Sequence, residues 1–345
     1  MDTLLSLMNE QLSGIKGISF KNVESFIKDD KRSTEFIRQI LNDDEYEEVK
    51  ESSSIYAIAE ARARHSAISF LMGLVFRKFQ GFVPQDKFKL WLMISLYHDV
   101  AYTSKYITQS DLNYAKEFSP FLLTDDYVEP ELYGLRDFSF TAKDVFAYTY
   151  EEILAYDRYS RKFHLYKNDI EKVDHGILGG VSTFSKLSRK VVKNNALYEL
   201  NDIKTICLII AQHNIYKSDS PKSDKNYSSE LDKLKSYSDF KISIDTPLLL
   251  FLSLVDTIEC VKKFSKSNNQ NESQYLQTLT VLKSMKVEIS EYEIVIDYSV
   301  LKKELALKSG MTETAKKYFN NVKDLGHWTK FTVIEDGNLV KITLN

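Results

Sequence analysis

The chain has only 2 cysteines, 5 prolines and 11 glycines in 345 residues. Each scarcity excludes something. Cys207 and Cys260 each lie inside an apolar, helix-like run, a placement that gives neither a disulfide framework nor a cysteine zinc site and that suits a reducing compartment. So little Pro and Gly leaves few turns for a sandwich or barrel, and a mainly α fold is expected. No run of about 18 apolar residues occurs, so no transmembrane helix is expected. The first residues, Met-Asp-Thr-Leu-Leu-Ser-Leu-Met-Asn-Glu, lack the basic start of a secretory signal. A cytoplasmic location without a membrane partner follows as the expectation. With a formal net charge of −3, no global basic field favours nucleic acid as a partner. One basic stretch, Ser185 to Lys193, has two readings, the solvated face of an amphipathic helix and a nucleic-acid contact, of which the first is the ordinary one.

What is present is ordinary globular material, 43% hydrophobic and 28% charged. Residues 1–53 read as an N-terminal segment of short amphipathic helices, with Phe20, Val23, Phe26 and Ile27 at helical spacing. A long helix is predicted from about Ser54 to Phe79. It carries His65, Ile68, Met72, Val75, Phe76 and Phe79 on one face, so His65 points toward the core. After a turn at Gly81 to Pro84, Lys87 to Val100 is apolar on nearly every side and belongs in the middle of a domain. Residues of about 104–168 are dense in aromatics and charge and read as an inserted helical segment or lid, whose rings either pack the insertion or stack on a ligand. Two further apolar helices are predicted at Ile203 to Asn214 and Leu248 to about Phe264, with an exposed polar loop from Lys217 to about Lys241 between them. Residues 266–345 read as a small α+β appendage. Val287 to Tyr298 is β-rich, a helical run covers Val300 to Val322, and Phe331 to Leu344 is a hairpin with an Asp336-Gly337 turn.

Only six histidines occur, and four fall on or beside the apolar helical runs: His65, His98 (followed by Asp99), His175 and His213. Asp256 sits inside Leu248-Leu-Leu-Phe-Leu-Ser-Leu-Val-Asp-Thr257, where a carboxylate needs a cation or several donors. Any one such histidine is ordinarily a satisfied core residue. Together, four imidazoles and two carboxylates form a mixed nitrogen and oxygen set that suits Mn, Fe, Ni, Co or Zn better than magnesium or calcium. Six protein ligands are too many for one open catalytic ion and suit two divalent transition-metal ions, with Asp99 as the natural bridge. Two such ions outweigh the two aspartates, and the residual positive charge favours a bridging hydroxide and a phosphate.

The order His, His-Asp, His, His, Asp resembles the HD-domain superfamily of metal-dependent phosphohydrolases, in its binuclear branch. The matching pieces are Ala63-Arg-His65, Leu96-Tyr-His-Asp-Val100, Asp174-His-Gly176, Ala211-Gln-His-Asn214 and Leu254-Val-Asp256, across about residues 54–265. The resemblance implies an all-α core over 54–265 that contains the insertion. Its metal ligands would be His65, His98, Asp99, His175, His213 and Asp256. The activity it implies is hydrolysis of a nucleotide or other small phosphoester by a metal-bridging hydroxide. Many members carry Gly-Lys shortly after the His-Asp pair, whereas Ala101 and Tyr102 stand here. That departure makes Tyr102 or Lys105 the candidate acid for the leaving group, beside Asp99. A Gly-Tyr-Pro signature and a paired histidine at the fourth element are both missing, which weighs against the cyclic-dinucleotide and CRISPR-type nuclease branches. A di-iron oxygenase resembling myo-inositol oxygenase, and an HD-type nuclease, stand as alternatives with the same ligands. Arg62 and Arg64 read as solvated or paired rather than substrate-binding, Asp174 as a helix cap rather than a group that orients His175, and His164 and His327 as ordinary. An oligomer is compatible with this reading.

Overall fold

The computed structural model describes residues 1–41, 59–81, 87–99, 183, 199–213, 247–259, 271–306 and 312–344. The architecture is mainly helical, with a small antiparallel sheet built largely from the C-terminal residues. The described residues fall into two compact units. One holds 1–41, 59–81, 87–96, 247–259, 271–306 and 312–344; the other holds 97–99, 183 and 199–213. His175, Tyr102, Lys105, His164, Asp174 and the segments expected at 104–168 and 217–241 lie outside the described residues.

In the first unit, three short helices open the chain: α1 (Leu4–Ser13), α2 (Val23–Phe26) and α3 (Asp30–Ile40). Each begins where a polar side chain accepts from an otherwise orphaned backbone N–H: Thr3 from Ser6, Asn22 from Ser25, and Asp29 from Arg32. Phe26 and Phe36 stack at 4.0 Å between ring centroids, and Phe20 packs edge-on against both from just before α2 rather than from within it. The long helix α4 (Ala59–Phe76) stops three residues short of Phe79, because Gln80 and Gly81 take left-handed φ values of 55° and 59°. From Ala63 to Phe76, every residue given a burial is buried, so His65 lies on a helix enclosed on all sides rather than on one inward face.

The apolar run expected around Leu90 is helix α5 (Phe88–Tyr97), and His98 and Asp99 lie in the turn just past its end. Trp91 fixes the packing of α5 on α4. Its Nε1–H donates to the Phe70 carbonyl at 3.1 Å, and its ring meets Phe251 edge-on at 4.8 Å. The indole leaves no room for a side chain at Gly73, where a Cβ would lie 2.2 Å from the ring carbons. Gly73→Ala is therefore expected to lower stability by about 1–3 kcal/mol through overpacking, although alanine alone favours a helix by about 1 kcal/mol. A urea unfolding midpoint below that of the wild type checks this, and a higher midpoint would mean that the indole moves aside.

Helix α6 (Leu200–Gln212) lies in the second unit and ends at His213. Its Cys207 is free and buried, and burial pushes the thiol pKa well up, so the sulfur behaves as packing. In the first unit, α7 (Pro247–Ile258) is buried from Leu248 to Ile258, as its continuous apolar run requires. Then come α8 (Asn271–Ser284), which sequence reasoning did not anticipate, β2 (Lys286–Ile289), β3 (Glu293–Asp297), α9 (Ser299–Ala306), α10 (Thr312–Trp328), β4 (Phe331–Asp336) and β5 (Leu339–Leu344). The helical run expected at 300–322 falls on α9 and α10, the second reaching Trp328. The sheet runs β1-β2-β3-β5-β4, where β1 is Asp2–Thr3 paired with Lys286 and Val287. The N-terminus is therefore stitched into the C-terminal sheet. The hairpin loop is Gly337-Asn338, one residue later than expected, and Gly337 has φ 62°, as the first position of a two-residue loop of this kind requires. Among the described residues, no helix is long and apolar enough to cross a membrane.

Candidate metal-binding site

Two groups of buried imidazole nitrogens and carboxylate oxygens form, one in each unit. In the first unit, α4 presents His65 and α7 presents Asp256, with His65 Nε2 3.6 Å from Asp256 Oδ1. The other ring nitrogen, Nδ1, donates to Glu259 Oε2 at 2.7 Å. Glu259 is the residue just past the end of α7, with its backbone N–H still bonded to the Val255 carbonyl at 2.8 Å. All three side chains are buried, Glu259 fully. Sequence reasoning missed Glu259. The available signal was its place three residues after Asp256, which puts both carboxylates on one face of a buried helix end.

The bond to Glu259 fixes the tautomer. With the proton on Nδ1, a neutral imidazole turns its Nε2 lone pair toward Asp256. In that neutral form Nε2 and Asp256 Oδ1 are both acceptors, 3.6 Å apart. A cation between them turns this from repulsive to attractive, and a carboxylate behind the imidazole is the usual support for a metal-binding histidine.

The second unit repeats the arrangement. Asp99 Oδ1 lies 3.7 Å from His213 Nε2 and 3.9 Å from His98 Nε2, and the two rings meet edge-on at 5.4 Å between centroids. His213 Nδ1 donates to the Ile210 carbonyl at 2.6 Å, so Nε2 again carries the lone pair. One carboxylate oxygen thus lies within 4 Å of two imidazole nitrogens. All three residues are at most 1% exposed.

The spacings suit metal ions. Two ligands bonded to one ion at about 2.0–2.2 Å lie roughly 3.0–3.5 Å apart, and the three observed separations run only slightly wider. The donor set of imidazole nitrogen and carboxylate oxygen, with no thiolate, fits first-row transition metals. Five of the six expected ligands are therefore placed in ligand-like pairs or a triad within their own unit. His175 lies outside the described residues, as do Tyr102 and Lys105.

Of the two readings of Arg64, solvated or paired, the solvated one does not hold. Arg64 is only 3% exposed, and its Nη2 donates to the Lys28 carbonyl at 3.3 Å. Its backbone N–H also donates to Asp30 Oδ1 at 3.4 Å, so the two bonds tie α4 to the start of α3. His327, by contrast, is exposed on α10 beside Asp324, as expected of an ordinary histidine.

No family model matches this sequence, and no curated protein or solved structure matches it either.

Proposed function

We propose that the chain is a metal-dependent phosphohydrolase of the HD-domain type, acting on a nucleotide or other small phosphoester. In this reading His65, His98, Asp99, His175, His213 and Asp256 hold two divalent transition-metal ions. The observation that carries it is the pairing of buried imidazole Nε2 atoms with carboxylate oxygens at 3.6–3.9 Å, in two groups whose members follow the expected order along the chain. Such ions would supply charge stabilisation at the phosphoryl oxygens and a water-derived nucleophile at neutral pH.

The chain's own residues prepare that chemistry. Glu259 and the Ile210 carbonyl hold the Nδ1 protons of His65 and His213, so neither imidazole loses orientation when its Nε2 is engaged. Asp99 supplies one oxygen to two imidazole neighbours. The apolar lengths of α4 and α7 keep the local dielectric low, which strengthens every charge interaction made there. Tyr102 or Lys105 is the candidate donor of a proton to the leaving oxygen.

The test is a screen of phosphomonoesters, phosphodiesters and nucleotides with added manganese, cobalt, nickel or iron. Phosphate or nucleoside release that a chelator abolishes is the expected result. No phosphate release, with substrate-dependent oxygen uptake on an iron-loaded protein, would replace this reading with the di-iron oxygenase. Cleavage confined to polynucleotide strands would replace it with the nuclease.

A further inference from the structure

The C-terminal α+β segment reaches the first group of ligands through a chain of hydrogen bonds. Tyr318 of α10 is fully buried, and its hydroxyl donates to the Ile258 carbonyl at 2.8 Å. Ile258 is the last residue of α7, where a helix leaves carbonyls without an internal donor. The next residue is Glu259, whose carboxylate holds His65 Nδ1. The Tyr318 hydroxyl therefore pins the peptide that launches the Glu259 side chain. Behind it, the Tyr298 hydroxyl lies 3.5 Å from that of Tyr318, placed to donate to its oxygen. Tyr298 in turn is fastened to the sheet hairpin by its backbone N–H, which donates to the Asn338 carbonyl at 2.9 Å. Phe319 packs edge-on against both tyrosines, at 4.9 Å and 5.4 Å, and adds apolar surface around the pair.

We propose that Tyr318 is a positioning residue for the metal ligand His65, acting through Ile258 and Glu259, so that the C-terminal segment is a working part of the metal site. This rests on the reading of His65 and Asp256 as metal ligands. Glu259 must keep its carboxylate on Nδ1 for His65 to hold its ring angle and tautomer, and groups in that supporting position change metal affinity by about 10–100-fold. Tyr318→Phe keeps the ring and its packing and removes only the hydroxyl. It frees the end of α7 and lets the carboxylate drift.

The experiment is a double-mutant cycle on Mn2+ affinity, measured on the full chain by equilibrium dialysis. Tyr318→Phe is expected to weaken Mn2+ binding about tenfold in the wild-type background. In a Glu259→Gln background it should weaken binding by less than about twofold, because the group it acts through is already compromised. A general loss of packing would act equally in both backgrounds, and that additive result would overturn the proposal. So would unchanged affinity in Tyr318→Phe. Tyr298→Phe, which leaves the Tyr318 to Ile258 bond in place, should weaken binding less than Tyr318→Phe does; a larger loss would contradict the proposed order of action. His65→Ala separates the two levels of the argument. Undiminished Mn2+ binding in that variant would remove the ligand reading itself, whereas lost binding there with an additive cycle would remove only the role of Tyr318.

Discussion

Asp99→Ala is expected to abolish both metal retention and phosphoester hydrolysis while leaving the fold intact. The loss of activity should exceed the roughly 10–100-fold that follows removal of a group merely supporting a ligand, because Asp99 offers one oxygen to both His98 and His213. The metal-dependent part of the stability separates this from damage to the core. With metal, the wild type gains about 2.7 kcal/mol at a hundred times the dissociation constant, and the variant gains nothing. Thermal melts with and without Mn2+, beside the activity assay, therefore read out one residue in two ways. Full activity in Asp99→Ala would refute the site.

Leu92→Asp is expected to do the opposite and unfold the protein outright. Leu92 is 4% exposed on α5, between Trp91 and Met93, which are also buried. An ionised carboxylate there costs several kcal/mol, against a total stability of about 5–15 kcal/mol for an ordinary domain. The expected outcome is insoluble or molten protein, seen as a lost cooperative transition in circular dichroism. A soluble, cooperatively melting variant would contradict the central position of α5.

These two residues also show which parts were legible in the sequence. Leu92 lies in a run that is apolar on nearly every side, and Asp256 interrupts another such run; both patterns are local, and burial follows from them directly. The C-terminal hairpin was legible for a similar reason, since alternation and a glycine turn lie within a few residues of each other. Glu259 was harder. It follows the end of an apolar run, where a charged residue is ordinary, and only its approach to His65, far away in sequence, gives it a role. Gly73 and β1 belong with it. Nothing near Gly73 in the chain announces Trp91, and two residues cannot alternate visibly, so β1 exists through its pairing with Lys286 and Val287. Helix α8 was missed because Asn271 to Ser284 has many Gln, Ser and Thr residues and no clean apolar stripe.

The candidate ligands divide along the same line. Histidines and aspartates in apolar helices can be picked out one at a time. Their pairing at ligand spacing comes from helix packing and turn geometry, which bring Asp99 near two rings and Glu259 onto a third.

The most direct test of the central claim is elemental analysis of the purified full-length chain after loading with manganese, iron, cobalt, nickel or zinc. About two metal ions per chain are predicted, a six-ligand set being too large for one open ion, with the content falling in His65→Ala and in His213→Ala. A chain that retains no metal under any of these loading conditions would contradict the account.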